Sequence, residues 1–335
     1  MNSLNRKFCI APMMERTDRH FRFLARLISR RAVLYTEMVP VPALMHGHPQ
    51  RVLAFNPEER PLALQLGGSA VDDLAASARM AQEAGYDEVN LNVGCPSARV
   101  RDGRFGACLM ADPALVAECV EAMANACDLP VTVKTRIGID ERDSYDELCE
   151  FVGYVAAAGC PTFIVHARKA WLRGLNPKQN RTVPPLRYDT VYRLKRDFPA
   201  LAIIINGGIT TMEAASGHLD HVDGVMLGRE AYGNPWLLAE VDRRFYGASD
   251  PPPSRSEVLA RYLPYVEQQL ANGVSQNTVT RHLMGLYQGL PGAKQWRRML
   301  GGQARADGDG VDLIRRAARL VEDHVGGGEL CMSTI

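Results

Sequence analysis

Long hydrophobic runs are missing from this chain. The stretch MNSLNRKFCIAPMMERTDRH holds only the short apolar run Phe8 to Met14, far below the roughly 18 residues a bilayer demands and unlike a secretory leader. A cytoplasmic protein without a membrane partner is therefore expected. Cysteine is not enriched either, at 8 in 335 residues with no CxxC pair. Cys119, Cys127 and Cys149 lie in helically spaced apolar stretches, which excludes a disulfide scaffold and marks most cysteines as core thiols. Ligand spacing for zinc is absent around Cys95, and His46 and His48 in HGH read as surface loop, so no metal is expected. An excess of charge is lacking as well: net +1, with 46% hydrophobic and 23% charged residues. That balance excludes a disordered chain, a collagen and a coiled coil.

What is present is a regular alternation. Apolar runs bounded by turn residues predict eight strands: 8–12, 33–38, 62–66, 88–93, 131–136, 162–167, 202–206 and 224–228. Their nearly continuous β-branched character suits buried parallel strands. Helical patterns lie between them, with starts expected at Asp72, at Asp112 before Pro113, and at the capping pairs Ser144 with Glu147 and Thr210 with Glu213. Gly85 and Gly159 mark helix ends. Eight repeats of this alternation predict an α/β fold of the (β/α)8 TIM-barrel kind over residues 1–246. The Pro- and Ser-rich segment 247–256 reads as a linker. Residues 257–326 carry only helical patterns and predict a small all-α bundle, with 327–335 as a mobile tail.

In such barrels the residues closing each strand face the active site. Here they are Pro12, Met13 and Met14; Gln65; Asn92, Gly94 and Cys95; Lys134 and Arg136; His166 and Arg168; Asn206, Gly207 and Gly208; Gly228 and Arg229. Glycine turns after the seventh and eighth strands, one followed by Arg229, suit phosphate, because glycine lets backbone N–H groups approach and arginine clamps the anion. Two tight turns are the plain alternative. Lys134 interrupts an apolar strand, where a cation needs an anionic partner. Either a carboxylate pairs with it or it faces the electron-rich edge of a cofactor ring. Gln65 offers a donor and an acceptor to a heterocycle. Phosphate, amide and cation together fit flavin mononucleotide. Cys95, between Gly94 and Pro96, sits on a loop shaped by Gly103 and Gly106; a single loop cysteine is more often inert than catalytic.

The segments APMMERTDRHFR, TEMV, LALQLGG, EVNLNVGCPS, VTVKTRIGID, FIVHARKAWLRGL, INGGI, GVMLGREAYGNPW and GLYQGLPGAKQWRRML resemble the tRNA-dihydrouridine synthase family along almost the whole chain. HARKAWLRGLNPKQNRTVPPLRY resembles its A subfamily, associated with uridines 20 and 20a in the tRNA D-loop. The resemblance implies an FMN-binding barrel with a helical tRNA-binding domain, and NADPH, or NADH in its place, as reductant. It places FMN on Pro12, Met13, Met14, Gln65, Lys134, His166, Asn206, Gly207, Gly208, Gly228 and Arg229, and the catalytic acid on Cys95. An ordinary thiol, with a pKa of roughly 8.5, carries its proton in neutral water.

Substrate contacts are expected at Asn92, Arg136 and Arg168. From Arg168 to Arg196 stand nine Lys or Arg and one acid, leaving the rest of the chain at −7, and this window suggests a polyanionic partner. Lys178 and Arg181 within it, and Lys294, Arg297 and Arg298 in KQWRR, are the candidate tRNA contacts; Trp296 doubles as a core residue of a basic helix. A monomer is expected. Two other readings stand beside this one. An FMN barrel of the dihydroorotate-dehydrogenase kind, acting on a free pyrimidine, explains the strand ends but not the basic helical region. A catalytically dead RNA-binding scaffold predicts loss of Cys95 or the glycine turns, and both are intact.

Overall fold

A computed structural model of the protein describes residues 4–302 and 310–331. All eight expected strands form: β1 (Phe8–Ile10), β2 (Leu34–Tyr35), β4 (Leu62–Gly67), β5 (Glu88–Val93), β6 (Val131–Arg136), β7 (Thr162–His166), β8 (Ala202–Asn206) and β9 (Gly224–Leu227), with a short unanticipated β3 (Val39–Pro40) pairing with β4. Every pairing is parallel, in the order β1-β9-β8-β7-β6-β5-β4-β2. The circle closes where Cys9 bridges Val33, with Ile10 N–H donating to Val33 at 2.9 Å and Val33 N–H to Phe8 at 3.0 Å. This is the (β/α)8 barrel that strict alternation predicts. Its interior is filled by side chains from six of these strands, among them Cys9, Tyr35, Ala63, Ile164, Ile204 and Met226, all essentially without exposure.

The helix signals hold in most places. Asp112 caps the helix Pro113–Ala126, Ser144 and Glu147 form a complete capping box, and Gly85 ends the helix Val71–Ala84 in the left-handed region at φ +88°. Two starts differ. The helix expected to begin at Asp72 begins at Val71 without a side-chain cap, and Asp72 and Asp73 occupy its first turn, where the helix dipole favours carboxylates. The cap expected at Thr210 is made by Thr211, whose hydroxyl accepts from Ala214 N–H, the amide within its reach.

By compactness the chain divides into Met1–Thr17 with Ala32–Gly228, and Asp18–Arg31 with Arg229–Ile335. The division therefore falls at 228/229, not in the Pro-rich segment 247–256, and the helix Arg19–Ile28 joins the C-terminal unit. Side-chain chemistry explains that membership. Asp18 pairs with Arg281 and His282, His20 Nδ1 lies 2.7 Å from the Tyr265 hydroxyl, Phe23 stacks on Tyr265 at 4.1 Å, and Ser29 donates to Asp242 at 2.6 Å.

The C-terminal unit is helical, as expected, with Trp296, Tyr262, Tyr287 and Leu283 in its core. Its main helices are Arg255–Ala271, Ala293–Gly302 and Gly310–Cys331. The tail expected at 327–335 is helical through Cys331, because the backbone ladder continues past glycines that each cost only about 1 kcal/mol. Residues 332–335 of that tail lie outside the described residues.

Candidate active site

Parallel register aligns the strand ends. Gln65 pairs with Asn90, Asn92 with Lys134, Arg136 with His166, and His166 with Asn206. These side chains therefore close the carboxyl end of the barrel in adjacent layers. Beside β9, a Cβ on Gly228 would lie 3.6 Å from Ala11 and 3.7 Å from the Met13 sulfur, so the turn after β1 meets the end of β9 there. That turn, Pro12 to Met14, is held by Thr17, whose hydroxyl accepts from Met13 N–H at 2.9 Å, and it leaves Met14 56% exposed.

Lys134 decides between the alternatives open in the sequence. Its ammonium donates to the Asn206 side-chain oxygen at 3.2 Å, and no carboxylate pairs with it among the described residues. Burial, then the neighbouring Arg136 cation, pulls it down to about 7. Asn206 is itself oriented by donating to Met226 C=O at 2.7 Å. His166 is held well below the usual histidine range by burial and by Arg136, Lys134 and Arg168, so it is neutral; its Nδ1 is buried with no hydrogen-bond partner. Gly207 and Gly208 have φ of +115° and +71°, and a Cβ on Gly208 would lie 2.5 Å from Leu186. An uncompensated buried cation, an unpartnered imidazole nitrogen and a glycine cradle fit an anionic, hydrogen-bonding ring compound such as a flavin. Among the described residues no group of three His, Cys, Asp or Glu is placed to hold a metal.

Cys95 is half-buried on the loop after β5. Asn92 sets its turn, the amide oxygen accepting from Gly94 N–H at 3.1 Å and Cys95 N–H at 2.9 Å. Cys95 C=O accepts from Ala107 N–H at 2.9 Å, and the thiol lies 3.7 Å from the Ser97 hydroxyl. Gly106 permits this closure: its φ is +76°, and a Cβ would stand 2.7 Å from Cys95 C=O.

Arg136 differs from expectation. Its guanidinium is 5% exposed and donates to Gly94 C=O at 2.9 Å and to Lys169 and Asn180 C=O at 3.0 Å each. Three donors are thus committed to tying the Cys95 loop to the loop after β7, because a buried guanidinium must satisfy its N–H groups. Arg168 likewise donates to Pro184 C=O. Much of the basic window is structural in the same way: Lys169 and Arg187 pair with Asp143, Lys195 with Asp223, and Arg193 with Asp197. Lys178 and Arg181 are exposed, as are Arg173 and Arg196. In the C-terminal unit, Lys294, Arg297 and Arg298 are exposed on the helix whose Trp296 is fully buried and donates to Leu283 C=O at 2.9 Å. Arg229 is exposed and opens the short helix Arg229–Gly233 of that unit. Asn180, fully buried, organises its loop by donating to Trp171 C=O and accepting from Trp171 N–H. It escapes notice in sequence because nothing local marks it as inward-facing.

The barrel, with its ring of polar strand ends, belongs to a fold class shared with enzymes. It is similar to the structure of the old yellow enzyme homologue from Zymomonas mobilis, with a TM-score of 0.52 over 75% of this chain and 92% of that one, at 13% identity. The family "Dihydrouridine synthase (Dus)" matches residues 9–319, and the chain belongs to this family. Relatives called tRNA-dihydrouridine(20/20a) synthase are 58% identical in Shewanella oneidensis (96% of this chain, 95% of that protein), 56% in Pseudomonas aeruginosa (95% and 96%) and 54% in Escherichia coli K12 (95% and 92%).

Proposed function

We propose that this protein reduces the C5–C6 double bond of uridine in tRNA to 5,6-dihydrouridine, at positions 20 and 20a of the D-loop, using FMN and NADPH, as a cytoplasmic monomer. The observation that carries the reading is Cys95, half-buried on a turn fixed by Asn92, at the same barrel end as a buried Lys134 with no carboxylate partner among the described residues. The family and the names of its relatives support the substrate and positions. Pro12, Met13, Met14, Gln65, Lys134, His166, Asn206, Gly207, Gly208, Gly228 and Arg229 are the residues assigned to FMN. Held by these residues, FMN would supply the hydride that reduces the uracil C5–C6 bond. Cys95 supplies the proton that C5 then needs, a general-acid role open to a thiol on a loop. Lys134 in its protonated form faces negative charge, and neutral His166 offers a hydrogen bond. The target base must leave any stack to reach a barrel mouth, which suits a loop nucleotide.

The deciding experiment incubates the purified protein with NADPH and an unmodified tRNA transcript and maps dihydrouridine by position. Product confined to positions 20 and 20a is expected. In the same assay Cys95→Ala is expected to keep bound flavin and tRNA affinity and to lose about 100-fold or more in turnover. Reduction of free pyrimidine with none in tRNA would overturn the substrate; native turnover by the variant would remove Cys95 from the chemistry.

A further inference from the structure

Beneath the active-site mouth runs a column of buried polar side chains, of which the strand ends reveal only Gln65 and Asn92. Glu88, Asn90 and Asn92 alternate along β5 and so share its inner face. Glu88, with no exposure, accepts from Arg6 Nε at 2.6 Å, from the Tyr35 hydroxyl at 2.7 Å and from the Thr132 hydroxyl at 2.6 Å. Thr132 Oγ1 in turn accepts from Asn90 Nδ2 at 2.9 Å. Asn90 Oδ1 accepts from Gln65 Nε2 at 2.7 Å, and Gln65 Oε1 accepts from Asn92 Nδ2 at 2.8 Å. Asn92 Oδ1 accepts the backbone N–H groups of Gly94 and Cys95.

Every bond in this column points the same way, and both ends demand that direction. A carboxylate paired with a guanidinium offers acceptors only, and backbone N–H groups offer donors only. Reversing any one amide between them would set donor against donor and acceptor against acceptor in a buried region, which is costly.

We propose that Glu88 is a positioning residue: through Thr132, Asn90, Gln65 and Asn92 its carboxylate sets the orientation of the Gln65 amide presented to the cofactor and of the turn that carries Cys95. This rests on the roles given above to Gln65 and Cys95. Glu88 touches neither cofactor nor substrate; it acts by choosing which atom of each amide faces upward.

Thr132 is the link to cut, because its hydroxyl is the bridge in the column between Glu88 and Asn90. Thr132→Val keeps the volume and removes the hydroxyl, whereas Thr132→Ser keeps the hydroxyl. On the full-length enzyme, FMN dissociation constant, visible flavin spectrum, and kcat and KM for tRNA are measured for both. Thr132→Val is expected to weaken FMN binding about tenfold, the effect of one broken buried hydrogen bond, to shift the flavin band, and to lower kcat with KM for tRNA unchanged. Thr132→Ser is expected to restore all three. A valine variant with native FMN affinity and kcat, or valine and serine variants equally impaired, overturns the proposal. Native turnover by Cys95→Ala would instead overturn the reading of Cys95, and the FMN comparison between valine and serine would still decide the role of the column at Gln65.

Discussion

A buried lysine flanked in register by Asn92 and Ile164 and bonded to Asn206 has no carboxylate to neutralise it among the described residues, and its proton becomes sensitive to whatever binds. Burial and Arg136 bring Lys134 down to about 7 in the free protein. An anionic ligand favours the charged form, so above that pH binding must take up a proton. FMN affinity is therefore expected to fall as pH rises from 7 to 9, by up to about tenfold per unit. Lys134→Met should bind FMN more weakly and show a flat profile when titrated by flavin fluorescence over that range. A native slope in the methionine variant would assign the proton elsewhere. His166 does not compete for this assignment, because burial and three neighbouring cations keep it neutral throughout. Lys134 was visible in sequence as a cation in an apolar strand; the absence of a carboxylate beside it was not, since strand partners come from distant segments.

At the scale of elements, the loop from Gly94 to Ala111 must fold back so that Ala107 N–H reaches Cys95 C=O, and glycine at 106 makes that possible. Gly106→Ala would place a Cβ 2.3 Å from Val100 Cγ1 and hold an alanine at φ +76°. A loss of about 1–3 kcal/mol in stability and a lower kcat are expected. Gly153→Ala is the contrasting case, in the middle of the helix Tyr145–Ala157 with nothing within 4 Å of its Cβ. There a gain of about 0.5–1 kcal/mol is expected, because alanine lowers the entropy of the unfolded chain. Thermal melts of the two variants check both signs. The strands themselves were legible because continuous apolar runs bounded by turn residues have few other uses. Helix starts were less so: Thr210 and Thr211 are chemically alike, and only backbone geometry selects the one whose hydroxyl meets an orphan amide.

For the whole molecule, formal charge overstates what is available to an RNA. The basic window after β7 commits Lys169, Arg187, Arg193 and Lys195 to carboxylates within its own unit. Lys294 and Arg297 remain exposed, Arg297 donating to Gln288 at 3.0 Å. Charge reversal at both is expected to weaken tRNA binding and to flatten its salt dependence by roughly 1.5 in log–log slope, about 0.7 to 0.9 for each phosphate no longer neutralised. Flavin reduction by NADPH should be unaffected. Binding measured across a salt series tests this, and an unchanged slope would move the RNA surface off this helix.

By itself the sequence determined the barrel, its eight strands, the helical C-terminal region and the identity of the residues at the strand ends, because periodicity and turn chemistry are local properties. Even the polar alternation of Glu88, Asn90 and Asn92 was there to be read, though their partners were not. Tertiary structure alone decided that the helix Arg19–Ile28 joins the C-terminal unit, that Arg136 holds loops together, and that one buried carboxylate orients a column of amides ending at Cys95. Each of these depends on which distant donor meets which acceptor once water is excluded, and that pairing exists only when the strands are brought into register.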